Sequence, residues 1–138
     1  HFRAWLPTTV SNPVFKTLIA WSVAQFSANP NQLWRIQAHQ FRIVASHLEE
    51  GKPTPEGVHK DGADYILIML LNRQNIEGGV SYIYDNERHE IAQCTLGIGT
   101  DLLLVNDHKV YHGVTPIYPA DPDRAAWRDV LVLTFHRQ

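Results

Sequence analysis

The sequence predicts a mainly β protein, an antiparallel sandwich or barrel preceded by an amphipathic helix. Three observations carry that expectation. Seven or eight short segments alternate or run apolar in the manner of strands. Turn residues return roughly every 8–12 positions between them. The one clear stretch of helical period lies near the start of the chain, ahead of all the strands.

At 138 residues the chain has the length of one domain, and residues 1–138 read as a single domain with one sizeable core. Hydrophobic residues make up 44% and charged residues 19%, which excludes a disordered composition. A net charge of -2 gives no reason to expect nucleic acid or an anionic membrane as partner. The lone Cys94 rules out an intrachain disulfide and a cysteine-rich zinc site, and suits a reducing cytoplasm. Neither a long apolar run nor a signal-peptide pattern occurs. The chain opens on His1 rather than Met, so a trimmed N-terminus is expected.

Taken in order, Asn12-Pro13 reads as a helix start, Asn12 capping and Pro13 occupying the first helical position. Over residues 14–26, Phe15, Leu18, Ile19 and Phe26 share a face that Val14 and Trp21 widen, and Asn29-Pro30 ends the unit. This helix is expected to pack on a sheet. Residues 33–45 alternate as a strand, with Trp34, Ile36, Phe41 and Ile43 between Arg35, His39 and Arg42. Residues 63–71 are apolar on both faces, the mark of a strand covered on both sides. Residues 72–79 read as a loop, and residues 80–84 and 90–96 as a hairpin around the polar tip Asp85-Asn86-Glu87-Arg88. Residues 102–105 form another buried strand, ended by the turn Asn106-Asp107. Residues 110–117 follow, then a Pro/Asp loop over 116–126, then a last strand over 128–135.

The chemistry concentrates in residues 53–62, Pro-Thr-Pro-Glu-Gly-Val-His-Lys-Asp-Gly. In extended chain, residues two apart project from one face, so His59 and Asp61 can approach a single metal ion together. With 8 His and 8 Asp in the chain, chance supplies about half of one His-x-Asp match, so the pair needs a third ligand. His1 and His136 are near the termini, His89 sits at the hairpin tip, and His39 and His47 precede the motif. His108 follows a turn and is expected to face solvent. His112 lies in a strand-like segment beside Gly113, which admits a close neighbour. Taken alone His112 would read as a hydrogen-bonded core histidine. With His59 and Asp61 it completes a two-His-one-carboxylate set. Arg128 shares a strand face with Val130, Val132 and Thr134 and needs a partner there. A dicarboxylate such as 2-oxoglutarate would supply one, and so would a structural pair with Asp129; Arg124, in an Asp-Pro-Asp loop, is the runner-up.

Together, His59-x-Asp61, His112 and Arg128 resemble the Fe(II)/2-oxoglutarate-dependent dioxygenases. The strings at 53–62, Asn75-Ile-Glu-Gly-Gly79, Val110-Tyr-His-Gly-Val-Thr-Pro116 and Arg128-Asp-Val-Leu-Val132 are similar to the bacterial free L-amino-acid hydroxylases of the L-isoleucine dioxygenase group. The resemblance runs from Trp34 to Phe135, and family members carry a longer N-terminal part. It implies a double-stranded β-helix, the jelly-roll or cupin-like fold, with Fe(II) held by His59, Asp61 and His112. It further implies 2-oxoglutarate on Arg128, O2 as oxidant, and hydroxylation or S-oxidation of a free aliphatic or thioether L-amino acid. Arg42 and Glu56 are the candidates for the substrate's carboxylate and amine, and Tyr65, Leu67, Tyr82, Val114 and Val130 for its lining. A cupin-type module that binds a metal or small ligand without turnover is the alternative, with a Zn- or Ni-loaded hydrolase or isomerase behind it.

Overall fold

The computed structural model describes residues 4–138, and the chain falls into two compact units, His1–Leu33 and Trp34–Gln138. The first unit holds α1 (Pro7–Ser11) and α2 (Pro13–Phe26). Asn12 starts α2 as its position predicts. Its Oδ1 accepts from the Val14 N–H at 2.8 Å, and Pro13 occupies the first turn, where no N–H is missed. Trp5 packs its ring 5.2 Å from that of Phe15. Val14 and Trp21 remain exposed, so the apolar face of α2 is narrower than the sequence suggests. Among the described residues no helix is long and apolar enough to cross a membrane.

The second unit is all β. Its strands are β1 (Trp34–Ala45), β2 (Tyr65–Gln74), β3 (Ile76–Gly78), β4 (Val80–Tyr84), β5 (Glu90–Thr95), β6 (Leu102–Asn106), β7 (Tyr111–Val114), β8 (Ile117–Pro119) and β9 (Ala126–Arg137). A four-stranded sheet runs β1-β9-β2-β6, a three-stranded sheet β5-β4-β7, and β3 pairs with β8. Every pairing is antiparallel. This is the mainly β, cupin-like architecture expected. Two short strands are additions to the sequence reading, because β3 and β8 lie in segments rich in Gly, Asn and Pro that look like loops. They form by pairing with each other, Ile76 to Gly78 against Ile117 to Pro119.

The apolar run of β2 is buried on both faces, and β2 is central in its sheet, flanked by β9 and β6. Ile66, Ile68 and Leu70 face inward with Val130 of β9 and meet Leu96, Val105, Phe41 and Val110. Leu67, Leu133 and Phe135, on the other face of the same ladder, are fully buried too. After Leu70 the β2–β9 register slips by one residue: Leu70 pairs with Val130, but Asn72 pairs with Asp129 and Arg73 with Arg128. Such a bulge turns every later side chain of the strand to the opposite face. Here it puts Arg73, in place of Asn72, across from Arg128.

Candidate metal centre

The segment that carries the motif has no regular strand of its own, yet it lies antiparallel along β7 and β8 and is fastened at three points. Gly51 exchanges both backbone hydrogen bonds with Ile117, at 2.9 and 2.8 Å. The Thr54 hydroxyl donates to the Val114 carbonyl at 3.1 Å and accepts from its N–H at 3.0 Å. His59 exchanges both bonds with His112, at 2.9 and 3.0 Å. A directly opposed antiparallel pair presents both side chains on one side. The ring centroids of His59 and His112 accordingly lie 4.7 Å apart. Gly113 permits the approach, since a Cβ there would sit 3.2 Å from the Cα of Val58.

Asp61 returns to the same side two residues later. Its Oδ1 is 3.5 Å from His59 Nε2 and its Oδ2 3.4 Å from His112 Nε2. The three ligand atoms lie within 4.8 Å of one another. His59 Nδ1 is 2.9 Å from the Gly57 carbonyl, an arrangement in which Nδ1 carries the proton and Nε2 keeps its lone pair for the cluster. His112 is 4% exposed, and its Nε2 is buried without a well-formed hydrogen bond. The adjacent His112 ring, ahead of His59, holds the Asp61 carboxyl below the usual carboxylate range against the opposing effect of burial. It is therefore a carboxylate at neutral pH. Two imidazole nitrogens, one of them a buried orphan, and one carboxylate oxygen are a donor set that fits Fe(II).

Asp107 holds this arrangement from behind. It is 2% exposed, and its carboxylate accepts the N–H groups of Asp61, Gly62 and Ala63 at 3.2, 2.8 and 3.1 Å. Its Oδ1 also lies 3.7 Å from His112 Nε2. The sequence showed Asp107 only as a turn residue, because a carboxylate that binds backbone N–H groups leaves no pattern in its partners' side chains. Glu56 reaches the same cluster from outside, its Oε1 3.3 Å from His59 Nε2 and its side chain 55% exposed.

Arg128 lies on the inward face of β9 with Val130, beside Gly79, where a Cβ would come within 3.7 Å of its Cδ. It is 2% exposed, and neither Nε nor Nη2 has a partner among the described residues. Burial, and secondarily the charge of Arg73, brings its pKa down to about 10, so it stays a cation at neutral pH. The carboxylate of Asp129 does not serve it. Asp129 points to the other face of β9 and takes a bidentate pair from Arg42, at 2.8 and 2.7 Å. Arg42, the candidate for the substrate's carboxylate, thus has its fork on Asp129, on the face of β9 away from Arg128. Arg124 is exposed in its turn, and His108 is exposed and 3.1 Å from Asp64, as a surface residue should be.

Strand alternation divides the expected lining between faces. Tyr65 and Leu67 share a face of β2 with Leu133 and Phe135, opposite that of Ile66 and Leu70. Tyr82 pairs with Gly113, so it shares Gly113's face and not that of His112. Val114 lies on the His112 face of β7 and Val130 on the Arg128 face of β9.

With this geometry in hand, the class of protein follows: the family model for 2OG-Fe dioxygenases matches residues 1–134, and the chain belongs to that family. Among curated relatives, the 3(1)-hydroxy-L-isoleucine 4-dioxygenase of Pantoea ananatis is 30% identical over 96% of this chain and 56% of the relative. The L-isoleucine-4-hydroxylase of Bacillus thuringiensis is 28% identical over 98% of this chain and 58% of the relative. A solved bsmA homolog from Methylobium petroleophilum superposes with a TM-score of 0.85 at 34% identity, covering 98% of this chain and 55% of that one. The solved IDO of Bacillus thuringiensis shares the fold, with a TM-score of 0.85 at 23% identity over 99% of this chain and 66% of its own. The chain thus spans little more than half the length of these two curated relatives.

Proposed function

We propose that the protein is an Fe(II)- and 2-oxoglutarate-dependent dioxygenase that hydroxylates, or S-oxidises, a free aliphatic or thioether L-amino acid, and that it works in the cytoplasm. The observation that carries this reading is the convergence of His59, Asp61 and His112 in a fold whose interior also holds the unpaired cation Arg128. His59, Asp61 and His112 would hold the metal, which when bound supplies O2 activation coupled to decarboxylation of 2-oxoglutarate to succinate and CO2.

The chain's own residues have distinct parts. The Gly57 carbonyl fixes the His59 tautomer, and Asp107 fixes the backbone that aims Asp61. Arg128 offers a planar fork to the distal carboxylate of 2-oxoglutarate and so orients the keto acid. Glu56, half-exposed at the edge of the cluster with one carboxylate oxygen 3.3 Å from His59 Nε2, is the carboxylate nearest to hand for a substrate amine. Val114 and Val130 give an apolar lining in which an unpaired substrate charge would cost roughly several kcal/mol. The two named isoleucine-oxidising relatives support an amino acid as substrate.

The test is anaerobic reconstitution with Fe(II) and 2-oxoglutarate, followed by O2 and measurement of succinate across the twenty amino acids. A hydrophobic pocket discriminates by only about 1–3 kcal/mol per methylene, so Ile, Leu, Val and Met should stimulate succinate release at graded rates. If no free amino acid does so, while a peptide or nucleobase does, the substrate is wrong and the metal assignment stands.

A further inference from the structure

The β2 bulge has a second effect. Arg73 and Arg128 are directly opposed in the β2–β9 register, so their side chains leave the sheet on the same face. Two arginines so placed repel one another, and buried arginines ordinarily sit against carboxylates. Neither does so here. Arg73 uses Nη2 to donate to the carbonyls of Gly78 at 3.0 Å and Ile76 at 3.3 Å, while its Nη1 is buried without a partner among the described residues. Arg128 has Nε and Nη2 buried without partners among the same residues. The nearby backbone leaves room for both: a Cβ on Gly79 would stand 3.5 Å from Arg73 Nη1 and 3.7 Å from Arg128 Cδ. The one acid at this level of β9, Asp129, faces the other way and belongs to Arg42.

We propose that Arg73 is a second arginine of the co-substrate pocket, and that the distal carboxylate of 2-oxoglutarate is held between Arg73 Nη1 and the Arg128 fork. A carboxylate offers two oxygens with about four acceptor directions, enough for the three orphaned nitrogens. The anion then relieves the repulsion between the two guanidiniums, an effect that a single arginine would not produce. The backbone bonds of Arg73 Nη2 preorganise it: the guanidinium is pinned by one nitrogen and presents the other. The lowered pKa of Arg128, caused in part by Arg73, agrees with two cations facing one another without an anion between them. The inference rests on the reading that Arg128 receives 2-oxoglutarate.

The experiment compares two ligands that share a 2-oxo acid head and differ in the distal carboxylate, 2-oxoglutarate and pyruvate. Dissociation constants are measured by calorimetry on Mn(II)-loaded full-length protein without O2, so that turnover plays no part. Wild type should prefer 2-oxoglutarate. Arg73→Gln should weaken 2-oxoglutarate at least tenfold and leave pyruvate within about twofold, which also shows that the variant is folded. Arg73→Lys, which keeps the charge, should recover part of the loss. If Arg73→Gln keeps the full preference, or weakens both ligands equally, Arg73 only supports the 72–79 backbone and the inference is overturned while Arg128 stands. Absence of any preference in wild type would overturn the reading of Arg128 and this inference with it.

Discussion

Among the described residues two trios of metal-ligating side chains come together, one His-Asp-His and one Asp-Glu-His, and only one of them has the features of a metal site. His59, Asp61 and His112 bring their ligand atoms within 4.8 Å of each other, and so do Asp85, Glu87 and His89 at the tip of the β4–β5 hairpin. The second trio comes from five consecutive residues and is satisfied locally. Asp85 accepts from the N–H groups of Glu87 and His89 at 2.8 and 2.9 Å, shaping the turn, and the His89 side chain is 71% exposed. The first trio joins segments some fifty residues apart through a backbone bridge, fixes one histidine tautomer on a carbonyl, and leaves a buried nitrogen without a partner. Proximity of ligand-type atoms is therefore a weak criterion. What separates the two clusters is donor capacity that the protein has oriented and left unused.

The largest expected effect follows from that difference. His112→Ala should abolish Fe(II)-dependent succinate release, and His108→Ala, at an exposed position paired with Asp64, should leave it nearly intact. The reverse result would assign the wrong histidine. Next in size, Arg128→Lys keeps a cation but loses the planar fork, so the 2-oxoglutarate requirement should rise by one to two orders of magnitude. Arg124→Lys, in its exposed turn, should change nothing measurable in the same assay.

Asp107 tests whether backbone orientation matters as much as the ligands themselves. Asp107→Asn keeps the shape but halves the acceptor capacity offered to the Asp61, Gly62 and Ala63 N–H groups. Loss of such a supporting partner typically costs about 10–100-fold in metal affinity, and metal titration of the variant should show a loss in that range. An unchanged affinity would mean that the loop holds its shape without Asp107.

The smallest effects belong to Arg42 and Glu56. Glu56→Gln should raise the amino-acid requirement without changing the 2-oxoglutarate requirement. Arg42→Ala strands the buried Asp129 carboxylate and should lower the melting temperature while leaving the amino-acid requirement unchanged. A rise in that requirement for Arg42→Ala would restore it to the substrate site.

The candidate ligands were legible because they obey simple periods. His59 and Asp61 are two apart in extended chain, and His112 sits next to the glycine that admits Val58. The central strands were legible because β2 is apolar on both faces. What stayed hidden depends on register. That Arg42 meets Asp129, and that Arg73 meets Arg128, follows from which residue of β9 stands opposite each, and a one-residue bulge changes the answer. Strands β3 and β8 were hidden because their Gly, Asn and Pro residues favour turns until the partner strand is present. For the expected lining residues Tyr65, Leu67 and Tyr82, the face each one occupies likewise follows only from the strand register.

The most direct measurement is the stoichiometry of Co(II) bound to the full-length protein, followed by its visible absorption under anaerobic conditions. The account predicts one Co(II) per chain, a spectrum that shifts on adding 2-oxoglutarate, loss of the ion in His112→Ala, and full retention in His89→Ala. Retention of the ion in His112→Ala together with its loss in His89→Ala would place the metal at the hairpin tip and contradict the account.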